Sequence, residues 1–156
     1  MAWNKFHLFL LAFVLMMLPA KVETRALTSS INGIWDLKLS VNRMVGRDGF
    51  IRKQTRSFEW VVRFNQEGEK LTGDLVGGRG SRGEGVCADA AIEGTVAGGS
   101  ISFAVTYQGN CCNQEQENFS GNLGEGGHAL SGSLEPADVP KTYCTLAYAD
   151  VKGTKR

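Results

Sequence analysis

The sequence predicts an all-β protein, an eight-stranded antiparallel up-and-down β-barrel, and three observations carry that prediction. Apolar residues recur at every second position in one segment after another, the mark of strands with one buried face. The unit apolar-x-Gly-x-apolar occurs at Leu71–Leu75, Ile92–Val96, Phe119–Leu123 and Leu130–Leu134. No segment shows an apolar period near 3.6 residues, so no long helix is expected. The alternatives to a closed barrel are an open, strongly curved β-meander and a β-sandwich.

The strands follow in order. In the first, Trp35, Leu37, Leu39 and Val41 alternate with Asp36, Lys38 and Ser40. The second, Ser57 to Phe64, puts Phe58, Trp60, Val62 and Phe64 on one face. Gln66-Glu67-Gly68-Glu69 turns the chain into a third strand with Leu71, Gly73 and Leu75 in phase. Ile92, Gly94 and Val96 mark the fourth, and Ala97-Gly98-Gly99 leads into the fifth, with Ile101, Phe103, Val105 and Tyr107. Phe119, Gly121 and Leu123 mark the sixth; Gly124-Glu125-Gly126-Gly127 turns into the seventh, with Leu130, Gly132 and Leu134. The eighth runs from Tyr143 to Val151.

A glycine at the centre of a strand costs propensity. It is tolerated where a sheet coils tightly or a large neighbouring side chain fills the space. The recurring glycines therefore predict a small, strongly curved sheet, with Trp35, Trp60, Phe64, Phe103 and Phe119 as fillers. Closing such a sheet also removes its exposed edges.

The N-terminus reads as an export signal. Lys5 precedes an apolar run from Phe6 to Leu18 broken only by His7, and Pro19-Ala20 closes it. The run is shorter than the roughly 20 apolar residues a membrane-spanning helix needs, and its order is that of a cleavable signal peptide. Residues 1–20 are assigned to it, with cleavage after Ala20 or as late as Ala26. Residues 27–156 then suit one domain. Of 17 basic and 16 acidic residues, the later cut removes Lys5, Lys21, Arg25 and Glu23, leaving 14 against 15. A net charge of −1 gives no general attraction to nucleic acid or anionic lipid. The expected location is secreted or periplasmic, with no integral membrane segment after cleavage.

Cys87, Cys111, Cys112 and Cys144 all lie in this mature part. An even count in an exported chain points to two disulfides. A ring between the neighbours Cys111 and Cys112 is strained. The expectation is that Cys87 and Cys144 each bond to one of Cys111 and Cys112, each bridge stabilising by about 2–4 kcal/mol.

The order Gly33-Ile34-Trp35, Leu71 to Leu75, Ile92 to Val96, Ile101 to Val105 and Phe119 onward spans nearly the whole mature chain. It resembles small secreted bacterial β-barrel domains of calycin-like, lipocalin or avidin-type architecture. That resemblance implies eight antiparallel strands in an up-and-down barrel. It implies little about function, because such barrels host many activities. The later tryptophan strand of avidins is missing, so biotin binding is not carried over. The arginine that lipocalins place near the last strand has no counterpart either.

Residues suited to catalysis are scarce. His128 lies in a glycine-rich turn, where a solvated residue is the simplest reading. The cysteine spacings are not those of a zinc site. Glu115 and Glu117 could form a carboxylate pair, but interleaved with Gln114 and Gln116 they read as a solvated strand start. The Gly77–Gly85 stretch lacks the Lys-Ser/Thr of a phosphate loop. Asn118-Phe119-Ser120 matches a glycosylation sequon. No cofactor, metal or catalytic residue is assigned, and the chain is expected not to be an enzyme.

Two functional expectations remain. The first is a module that binds a small apolar or amphipathic ligand through Trp35, Trp60, Phe64, Phe103 and Tyr107. The second is a cell-envelope or extracellular protein-interaction domain with a filled core. It would use Arg43, Arg47, Arg52, Lys53 and Arg56 in the loop Asn42–Arg56, where Asp48 is the one acid. An ordinary solvated hairpin loop would carry the same charges.

Overall fold

The computed structural model describes residues 30–80, 89–108 and 112–156. Eight strands follow in chain order: β1 (Gly33–Gly46), β2 (Ile51–Glu67), β3 (Lys70–Gly80), β4 (Ala90–Ala97), β5 (Ser100–Tyr107), β6 (Gln116–Leu123), β7 (Ala129–Pro136) and β8 (Thr145–Lys155). Each pairs antiparallel with the next, and β8 returns to β1, so the sheet closes on itself. This is the predicted up-and-down barrel, and neither the open meander nor the sandwich. Among the described residues the one helix is a single 3-10 turn at Glu125–Gly127. None is long and apolar enough to cross a membrane. The expected signal segment with both cleavage positions, Cys87 and Cys111 lie outside the described residues.

The alternation places the core as expected. Trp35, Leu37, Leu39 and Val41 are buried from β1, and Trp60, Val62 and Phe64 from β2. The segment Asn42–Arg56 differs from its reading as a loop. Arg43 pairs with Lys53, Met44 with Arg52 and Val45 with Ile51, so β1 and β2 continue as a long hairpin and residues 47–50 alone make its turn. Most of its outward positions are polar, and exposed Phe50 and Ile51 break the alternation at the tip, which hides the two-residue period.

A register shift at Val41/Arg43 also resets the phase of β1. Continuing the odd-numbered phase from Val41 would turn Arg43 inward. The bulge leaves Arg43 exposed and sets Met44 beside Ala147 instead, as bulges do where a strand must re-aim a side chain. Residues 77–80 of the glycine-rich stretch belong to β3, paired with β2.

One end of the barrel is solid. Trp35 meets Phe64 edge-on at 6.2 Å, Phe64 meets Phe103 at 5.4 Å, and Phe103 stacks on Phe119 at 4.6 Å. The glycines make room for this row. A Cβ on Gly94 would lie 2.6 Å from Phe103 Cβ and 2.1 Å from the Ser102 carbonyl oxygen. Gly121 and Gly132 face each other across β6 and β7, and a Cβ on either would lie 2.7 Å from Phe119 Cζ. Ile31, fully buried, plugs the same end. The Trp35 indole N–H donates to its carbonyl at 2.7 Å, and its own N–H donates to Gln66 Oε1 at 3.1 Å. The Gln66 N–H in turn donates to Asn32 Oδ1.

Candidate functional site

At the opposite end, where β1 meets β2, β5 meets β6 and β7 meets β8, the core opens into a cup. Its volume is about 180 Å³. The apolar wall includes Leu39, Met44, Phe58, Trp60 and Ala147, and the polar members are Tyr107, Glu117 and, from the start of β8, Thr145.

Glu117 takes its inward direction from Phe119, two residues on in β6. It pairs with Val105 of β5 and Pro136 of β7, and its side chain is 2 % exposed. The Tyr107 hydroxyl donates to Oε2 at 2.6 Å. The β7–β8 ladder ends at Leu134 and Ala149, and beyond it the Ala147 N–H donates to Oε1 at 2.6 Å. Burial disfavours the charged form and pushes the Glu117 carboxyl up to about 7, although both hydrogen bonds pull the other way. Burial also raises the Tyr107 phenol well above its ordinary range, helped by the Glu117 charge beside it.

Glu115, 7 % exposed, ties two connections together. Its Oε1 accepts from the Lys141 and Thr142 N–H groups at 2.7 Å each, fastening the β7–β8 connection to the start of β6. The Cys112–Cys144 disulfide, with Cα atoms 5.0 Å apart, joins the same two connections. This is one of the two bonds expected for Cys144. A disulfide-bonded barrel of this kind is compatible with an extracellular location.

Glu115 and Glu117 therefore correct the sequence reading, which placed both in a solvated strand start. The signal that finds them is the phase of Phe119, extended back along the strand. Gln114 and Gln116 hide it, because polar residues on both faces erase the hydrophobic contrast.

The expected ligand residues separate into two groups. Trp60 and Tyr107 line the cup. Trp35, Phe64 and Phe103 pack on one another in the solid end and are buried there.

The basic residues gather outside the cup. Arg52 forms a two-point pair with Asp48, the shorter contact 2.5 Å. The Arg43 guanidinium lies over the Tyr148 ring at 4.6 Å, and that of Arg47 over Tyr143 at 4.9 Å. Lys53 is exposed and Arg56 half-buried. Phe50, 69 % exposed, and Ile51 project at the hairpin tip, next to Tyr143, 95 % exposed.

His128 is exposed in the β6–β7 turn, at the end away from Glu117. Among the described residues no group of His, Cys, Asp and Glu is arranged to hold a metal. A larger hollow, about 730 Å³, lies on the outer face of β8, β1, β2 and β3. Of the charges on it, Arg156 pairs with Asp36 and Arg79 with Glu59 at 2.6 Å each, and Lys38 and Lys152 line it as well.

Fold and site together define a small closed barrel, solid at one end and hollow at the other, with a carboxyl–phenol pair in the hollow. No family model, curated protein or solved structure matches the chain.

Proposed function

We propose that the protein is an exported, non-enzymatic binding module that holds a small amphipathic ligand in the Tyr107–Glu117 cup. The carrying observation is an apolar cavity with two convergent polar groups, the ordinary composition of a ligand site. An apolar cavity of about 150 Å³ holds a benzene-sized molecule, so a cup of about 180 Å³ suits a ligand of similar bulk. Glu117 and Tyr107 are bonded to each other, and Cys112 on the wall is held in its disulfide. Export rests on the N-terminal segment and the disulfide.

Ala147→Leu should fill the cup. We expect saturable binding of six-carbon alcohols by the wild type, with NMR shifts confined to β5, β6 and β8 around Glu117. The filled variant should lose most of that binding and keep its melting temperature. Shifts scattered over the surface, or equal binding by Ala147→Leu, would sink the reading.

A second reading is favoured by the hairpin tip. Exposed aromatic and arginine residues side by side are the composition of protein interfaces. Here Phe50, Ile51 and Tyr143 stand beside Arg47, Arg52 and Lys53. In this reading the barrel is a rigid mount, and the tip meets an acidic protein of the envelope. A photo-crosslinker at position 50 should give one discrete adduct in cells that Arg47→Glu with Lys53→Glu removes. An adduct unchanged by the reversal argues against it.

A further inference from the structure

We infer that the cup is built for a cationic amine, whose ammonium head sits on Glu117 and whose short apolar tail lies against Leu39, Met44, Phe58 and Trp60. This inference rests on the cup being a ligand site.

Both polar groups that converge on the cup have acceptor capacity to offer. A carboxylate has about four lone-pair sites. Tyr107 and the Ala147 N–H use two. The Tyr107 hydroxyl spends its proton on Glu117, so its oxygen retains acceptor capacity as well. An ammonium brings three donors and no acceptor. A carboxylate or phosphate ligand would instead meet a like charge.

Buried carboxylates are normally paired with a cation. The arginines of the β1–β2 hairpin stand outside: Arg43 lies on Tyr148, Arg47 on Tyr143, and Arg52 on Asp48. None of them is among the residues lining the cup. Among the described residues no cation lines the cup, so the charge that complements Glu117 is one the ligand can supply. Phe58 and Trp60 on the wall are ring types that attract cations.

The groups facing Glu117 are few among the described residues. β5 presents Tyr107. β7 presents Pro136, β8 presents Ala147 and Leu146, β1 presents Leu39 and Met44, and β2 presents Phe58 and Trp60. Cys112 on the wall is held in its disulfide. Glu115 is engaged by Lys141 and Thr142. Between pH 5 and 8 the proton that matters in the cup is therefore the one on Glu117, whose carboxyl burial has raised to about 7. A bound ammonium favours the ionised carboxyl, so binding expels that proton at and below neutral pH.

The test is calorimetric titration of the full chain, disulfide intact, with n-pentylammonium, pentan-1-ol and butanoate, which have about the same number of heavy atoms. At pH 8 the ammonium should bind about tenfold or more tighter than the alcohol, and butanoate more weakly than either. Ammonium affinity should fall below pH 7, approaching about tenfold per pH unit, with proton uptake by the buffer. Glu117→Gln should erase the preference for ammonium and keep alcohol binding. If that variant does not fold, the wild-type pH series decides alone. An alcohol that binds as tightly as the ammonium, or ammonium affinity flat from pH 8 to 5, overturns the amine inference and leaves the cup reading standing. Failure of all three probes to bind overturns both.

Discussion

Trp35→Ala should lower the stability of the barrel by about 3–5 kcal/mol, the usual cost of emptying a large buried aromatic site. That is a large share of the roughly 5–15 kcal/mol that holds a domain together. The indole is 0 % exposed and packs edge-on against Phe64 at 6.2 Å. Its N–H donates to the carbonyl of Ile31, the residue that plugs this end. Truncation would leave a cavity, an unpaired buried carbonyl and a loosened plug. Trp35→Phe, which keeps an aromatic ring but not the N–H, should fall between the two. Denaturant midpoints of the three proteins, with the disulfide intact, check the order. A midpoint unchanged in Trp35→Ala would remove Trp35 from the core.

The barrel should lose about 2–3 kcal/mol of stability between pH 5 and pH 8, and Glu117 is the cause. Its carboxyl titrates at about 7 in the fold against 4.5 when free of it. The folded state therefore holds a proton that the unfolded chain has already released. A group raised in this way contributes most at low pH, and its contribution is lost as pH rises through the folded value. The gap between 4.5 and about 7, at about 1.4 kcal/mol per unit, is worth about 3–4 kcal/mol in all, and most of it falls between pH 5 and 8. Asp36 and Asp48 are held below the ordinary carboxylate range by bonds to Arg156 and Arg52, so they act in the opposite sense and only in stronger acid. Urea denaturation at several pH values should show stability falling from pH 5 to 8 in the wild type, with the slope nearly gone in Glu117→Gln. Stability rising over that range would show that Glu117 is ionised throughout and that its two hydrogen bonds outweigh burial. A bound ammonium should flatten the same slope, which links this measurement to the ligand titration.

Much of the barrel was legible because strand pleating is a local property. Residues two apart share a face whatever lies beyond them, so Trp35 to Val41 and Phe58 to Phe64 announced their inward sides without reference to any other strand. The central glycines announced tight packing in the same way, since a missing Cβ is useful only where something presses close. Where the chain is polar on both faces the signal fails. Gln114 to Glu117 gave no contrast, and the extension of β1 and β2 past Val41 and Arg56 was hidden among lysine and arginine.

Among the described residues, the sequence by itself determined the strand count, the inward sets, the absence of a long helix and the pairing of Cys144 within the Cys111-Cys112 dipeptide. The tertiary structure decided which inward residues meet. Barrel closure sets the stagger between strands, and only that stagger stacks Phe64, Phe103 and Phe119 at one level while leaving Leu39, Trp60 and Tyr107 around a gap at another. It also decided that Met44, not Arg43, faces the cup, because the bulge between Val41 and Arg43 re-aims the side chains that follow it. The charge state of Glu117 belongs to the same class. Nothing in Gln116-Glu117-Asn118 raises a carboxyl; the water taken away by five other strands does.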